Sequence, residues 1–181
     1  TNGDGTFSNN AIDNPTYNFG TTDQTGGVIT LTMDVIGNAI CGTATDAISL
    51  TITPAPVANA SGDWSICEDE TGYTIIGASS ANGTLSWTSS GDGTFVDASI
   101  DNPTYNIGST DITNSLVTLT MNVSANGSCS GTSNDMILSI SPGPTIDAGL
   151  NDTTCANNAV ITLNGSVAVA SGFTWVSLGS G

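Results

Sequence analysis

Along much of this chain apolar and polar residues alternate with a period of two. In Leu116–Val123, the residues Val117, Leu119, Met121 and Val123 share one side, while Thr118, Thr120 and Asn122 share the other. Ile29, Leu31, Met33 and Val35 repeat the pattern earlier in the chain. Met136, Leu138 and Ile140 alternate ahead of Pro142, as Ile48, Leu50 and Ile52 do ahead of Pro54. Such alternation marks a strand with one buried face. Tyr73 with Ile75, and Leu85 with Trp87, predict two more strands, and Phe95 and Tyr105 sit on shorter ones. Gly, Asn, Asp and Ser punctuate the intervals and supply turns. About seven short strands with one apolar face each predict an all-β, two-layer antiparallel β-sandwich.

The pattern recurs at a fixed offset. Gly3–Phe7 maps onto Gly91–Phe95, Cys41 onto Cys129, Cys67 onto Cys155, and Trp87 onto Trp175, each 88 residues apart. Gly179-Ser180-Gly181 matches Gly91-Asp92-Gly93 at the same offset. The two copies are close through Gly3–Pro54 and diverge after it. A period of this size means tandem units rather than a short-repeat solenoid. Strands run into Pro54-Ala55-Pro56 and into Pro142-Gly143-Pro144, and Pro ends a ladder because it lacks the donor. The boundaries predict one complete unit over 55–142, the back part of a preceding unit over 1–54, and the front part of a following one over 143–181. The chain opens and closes in mid-unit, so a longer array is expected.

Composition narrows the chemistry. The chain has 181 residues with no Lys, Arg or His, and its net charge is −16. Nucleic-acid binding rests on cationic side chains meeting phosphate, so that partner is not expected. No apolar run approaches the length of a membrane span, so insertion is not expected either. Without His or Lys there is no imidazole base and no Schiff-base amine. Thr, Ser, Asn, Gly and the β-branched residues dominate, which suits strands and turns.

One unit thus reads Val57–Ala60, Cys67, Tyr73–Gly77, Trp87, GDGTF, DNPTYN, LVTLTMNV, Cys129 and MILSISP. It resembles the PKD-like and Ig-like repeats of very large secreted surface proteins of Bacteroidota, gliding and adhesin proteins among them. The resemblance covers the whole chain. It implies tandem Ig-like (PKD-like) sandwiches, export across the outer membrane, and a stalk, filament or adhesive role. One departure is that the chain lacks the paired inter-sheet cysteines of antibody domains.

Two cysteines per unit in a secreted chain suggest disulfides. The pairings are Cys67–Cys129 within the complete unit, which Cys41–Cys155 could accompany only across units, or Cys41–Cys67 and Cys129–Cys155 between neighbours, or bonds between chains. Free thiols are the third possibility. Cys67 lies near the first strand and Cys129 before the last, which in a sandwich tends to place them at opposite ends. No Cys-x-x-Cys pair suggests a metal site.

The Asp-rich phrases have two readings. GDGTF suits a calcium loop, because carboxylate and carbonyl oxygens suit that ion. It also suits a turn, and the Ser180 substitution in the third copy favours the turn. Asp13, Asp23, Asp101 and Asp111 recur between copies and are the remaining calcium candidates; no cofactor is required. Glu68-Asp69-Glu70 does not recur and reads as a solvated acidic loop. Trp87 and Trp175 read as core. Trp64 has Asp152 as its counterpart; it reads either as a contact for a sugar or a neighbouring chain, or as a partly exposed strand residue. Sequons at Asn59, Asn82, Asn122, Asn126, Asn151 and Asn164 permit glycosylation. The expected role is a structural segment of an extracellular stalk, fibre or filament, with neighbouring repeats or copies of itself as partners. The alternative is an adhesin module for glycans or surfaces. An enzyme is not expected.

Overall fold

A computed structural model describes residues 1–38, 40–157 and 160–179. Ser180 and Gly181 of the third Gly-rich triplet lie outside the described residues. The first segment contains β1 (Thr6–Phe7), β2 (Tyr17–Asn18), β3 (Gly27–Val35) and β4 (Ala44–Ile52). The central segment contains β5 (Val57–Asn59), β6 (Trp64–Cys67), β7 (Gly72–Thr74), β8 (Ser79–Ala81) and β9 (Leu85–Ser89). It continues with β10 (Thr94–Phe95), β11 (Thr104–Asn106), α1 (Ser109–Asn114), β12 (Leu116–Val123) and β13 (Thr132–Ser141). β14 (Thr145–Asp147) and β15 (Ser166–Ala168) follow. Among the described residues the chain is all-β apart from α1 and a single 3-10 turn at Asp23–Thr25. Among the described residues no helix is long and apolar enough to cross a membrane.

The central segment builds two layers over one core. One sheet runs in the order β6-β13-β12-β9. The other runs β10-β11-β7, with β5 and β8 paired beside it. Period-two alternation sets the inward face of the long strands. Val117, Leu119, Met121 and Val123 of β12 are buried, as are Met136, Leu138 and Ile140 of β13. Trp87 of β9 joins them, and its indole N–H donates to Ile100 O at 3.1 Å. Ala60, Ile75, Ala78 and Tyr105 face them from the other side. Each buried aliphatic or aromatic side chain contributes about 1.5–3 kcal/mol over its exposed state. Phe95 bridges the layers' edge, 4.9 Å from the Tyr105 ring and 5.8 Å from Trp87.

The sheet departs from the antiparallel expectation at one seam. β12 pairs antiparallel with β13 and with β9, but β6 pairs parallel with β13, Trp64 opposite Leu138 and Cys67 opposite Ser141. Two side-chain acceptors fasten this leading stretch. Asn134 Oδ1 accepts the Ala60 N–H at 2.8 Å, and Asp63 Oδ1 accepts the Ile137 N–H at 2.8 Å.

The 88-residue offset reappears in the pairing register. Val28 opposite Thr51 in β3–β4 recurs as Leu116 opposite Ser139 in β12–β13. Thr6 opposite Asn18 recurs as Thr94 opposite Asn106. In the third segment the register slips by one residue: Val57 pairs with Ala81, but Thr145 pairs with Ala168. The left-handed residue shifts with it, from Asn82 to Val169. Trp175, expected in a core, is 54% exposed. Its counterpart Trp87 is covered by β12, opposite Met121, and the positions 88 residues after β12 are not among residues 1–181.

Candidate functional site

The repeated Asp phrases assemble into a latch. Asp92 accepts from Thr110 N at 3.0 Å, Asp111 N at 3.3 Å and Ser109 Oγ at 3.3 Å. The two amides are free donors of the first turn of α1, which an acidic side chain satisfies well. Asp111, fully buried, turns the other way: its Oδ2 accepts Tyr105 Oη at 2.7 Å and Gly108 N at 3.0 Å. Gly91 must be glycine because a Cβ there would collide with the Asp111 carboxylate. Gly93 is equally constrained, by Asn106 O and the Tyr105 hydroxyl.

The first copy repeats the latch atom for atom in its main contacts. Asp4 accepts Thr22 N at 3.0 Å and Asp23 N at 3.1 Å. Asp23 accepts Tyr17 Oη at 2.9 Å, Gly20 N at 3.2 Å and Gly5 N at 3.0 Å. Hydrogen bonds led by the Thr22 amide lower the Asp4 carboxyl to about 2. The Thr110 amide does the same in direction for Asp92. Burial pushes the Tyr105 hydroxyl up to about 12. Asp111 Oδ1 is buried without a partner among the described residues, while the same oxygen of Asp23 takes the Asp4 N–H at 3.2 Å.

These contacts favour the turn reading of GDGTF. Of the calcium candidates, both carboxylate oxygens of Asp23 and Oδ2 of Asp111 are occupied by N–H and O–H donors. Asp101 accepts Ser80 Oγ at 2.6 Å, and Asp13 is exposed. Among the described residues no group of three or more Cys, Asp and Glu gathers to hold a metal ion. Sequence reasoning missed Asp4 and Asp92 as capping residues. The signal was the recurrence of Gly20 and Gly108, each three residues ahead of the second Asp.

All four cysteines are unbridged. Cys129 precedes β13, and its thiol lies 3.2 Å from Thr53 O. Cys67 closes β6 opposite Ser141, at the other end of β13. Ten strand residues span ~30 Å, whereas bridged Cα atoms sit within ~7 Å. The Cys67–Cys129 bond within the unit is therefore excluded by the length of β13. The adjacent Asp69 side chain raises the Cys67 thiol, keeping it protonated.

Trp64 stacks on Tyr73, centroids 6.0 Å apart and rings inclined by 22°, and remains 56% exposed. The pair links β6 to β7, and more than half of the Trp64 surface stays open to solvent. Among the sequons, Asn59, Asn82, Asn151 and Asn164 are exposed, and Asn122 and Asn126 are half-buried. Asn122 Nδ2 donates to Thr88 Oγ1 at 3.2 Å, Asn82 Nδ2 to Ala55 O at 3.0 Å, and Asn126 Nδ2 to Pro54 O at 3.5 Å. Glu68 N donates to Ser141 O at 2.9 Å and Glu70 N to Cys67 O at 3.1 Å, so the acidic loop folds back over the end of β13.

Neither a protein family nor a curated protein matches the chain.

Proposed function

We propose that the chain is a structural segment of a long extracellular surface protein, built from Ig-like (PKD-like) units joined end to end into a stalk, fibre or filament. One observation carries this reading. The pairing register and the Asp latch recur at one offset, and the copies meet through short proline junctions. At the first junction Asn126 and Cys129 of the central unit touch Pro54 O and Thr53 O of the preceding one. A base-free acidic surface suits a spacer. Chains of like sign repel one another, and proteases that need Lys or Arg find no site. Its partners are neighbouring repeats or other copies of itself, and no cofactor is required. Electron microscopy of the native protein tests this. Beaded rods whose length scales with copy number are expected; dispersed globular particles would sink the idea.

The adhesin reading has its own observation, the solvent exposure of Trp64. Aromatic faces stack on sugars through their apolar side. A glycan screen comparing the chain with Trp64→Ala separates the two: binding lost with Trp64 supports adhesion at this edge, and binding absent or unchanged removes it.

A further inference from the structure

The four unbridged thiols fall into two kinds once placed on the 88-residue offset. Cys41 and Cys129 precede the last strand of their copies; Cys67 and Cys155 follow the first. At the first junction the Cys129 thiol reaches back to Thr53 O at 3.2 Å, and Thr53 lies beside the position a Cβ on Gly127 would take. The counterpart of Thr53 is Ser141. Ser141 O accepts the Glu68 N–H at 2.9 Å, and Ser141 faces Cys67 across the parallel seam. The carbonyl that a Cys129-type thiol touches from the following copy is therefore the carbonyl beside which Cys67 ends its strand.

Resting on the array reading above, we propose that each Cys67-type thiol is bonded to the Cys129-type thiol of the next copy, forming a staple across every junction. Cys67 and Cys129 of one copy sit at opposite ends of β13 and cannot meet. Cys41 and Cys67 are held apart in the same way, one leading into β4 and the other ending β6, on opposite sides of their shared junction. In this scheme none of the four cysteines has its partner among residues 1–181. The bond forms by exchange with a disulfide oxidant. One thiolate attacks the oxidant's disulfide to give a mixed disulfide. The second thiolate then displaces the oxidant. Two protons leave the protein and two electrons reduce the oxidant to its dithiol. Each staple closes a loop longer than a whole unit, the case in which a crosslink restricts the unfolded chain most.

Residues 55–142 hold their own buried core, so two copies of 55–142 joined directly provide the test. The join reads Ser-Pro-Ala-Pro, close to the natural Thr53-Pro54-Ala55-Pro56. After equilibration with oxidised glutathione, thiol counting and peptide mass mapping are expected to show two free thiols and one bond, from Cys67 of the first copy to Cys129 of the second. Cys67→Ser in the first copy should leave its three thiols free. The 181-residue chain alone should keep four. Four free or glutathione-capped thiols in the folded two-copy protein overturn the staple, as does a bond within one copy. Rods from the native protein together with free thiols would reject the staple alone; globular native particles would reject the array reading itself.

Discussion

The β3–β4 and β12–β13 hairpins are two copies of one design in different surroundings. Their registers agree, and their alternating residues correspond one to one. Yet Met121 is fully buried, whereas its counterpart Met33 is 57% exposed. The difference comes from neighbours. β12 and β13 have β9 and β6 beside them and a second layer above, whereas β3 pairs only with β4 among the described residues, the positions 88 residues before β6 and before all but the last residue of β9 falling outside those present. Local alternation and cross-strand pairing set the register, while burial depends on strands distant in sequence. A strand pattern thus states which face is to be buried, and the rest of the unit supplies the cover.

Truncation at matched positions should show the largest difference between the two hairpins. Leu119→Ala should cost about 2–5 kcal/mol, because a fully buried leucine leaves a cavity. In the 181-residue chain, Leu31→Ala at the half-buried counterpart should cost under about 1 kcal/mol. Denaturant unfolding followed by circular dichroism gives both values; equal costs would show that the hairpin alone forms the core. The latch should behave in the opposite way, since Asp23 and Asp111 are both buried and similarly bonded. Asp23→Asn and Asp111→Asn should each cost about 1–3 kcal/mol. Amide exchange at Gly20 and Gly108 should quicken in the respective variants. A loss confined to the central copy would make the latch dependent on the second layer.

Titration gives a smaller effect. The Tyr105 hydroxyl is raised to about 12, so its burial favours the neutral form. That contribution is complete below the ordinary tyrosine range near pH ~10 and is lost as pH rises through about 12. Tyr105→Phe should flatten this alkaline limb of the unfolding profile. Asp4 has the reverse sign. Its lowered carboxyl stabilises the fold above the ordinary range near pH ~3.9, and the contribution fades as pH falls through about 2. Carboxyl chemical shifts measured across the acid range report it directly. The smallest effect is expected at Trp64→Ala, below about 1 kcal/mol by the same unfolding assay. A loss as large as that of a buried tryptophan would make Trp64 part of the core.

Much of the strand layout was legible because period-two alternation is a local signal; Leu116–Val123 and Met136–Ile140 needed no tertiary information. The GDG turn was legible through its glycines and its Ser variant. α1 was not, because its first turn is completed by Asp92, 17 residues before Ser109. The parallel β6–β13 seam was hidden for the same reason: Trp64 and Leu138 meet only when the unit closes. The cysteine pattern gave two thiols per copy, and only the length of β13 separated them.

The parallel seam also fixes how the unit meets a pull. The Pro54–Pro56 end leads through β5 into β6 and the Pro142–Pro144 end continues from β13, so opposed forces that reach β6 and β13 slide these strands past each other. From Trp64 opposite Leu138 to the Glu68 N–H on Ser141 O, the seam's bonds are then loaded together in shear. An antiparallel seam with the same ends would open one bond at a time, like a zip.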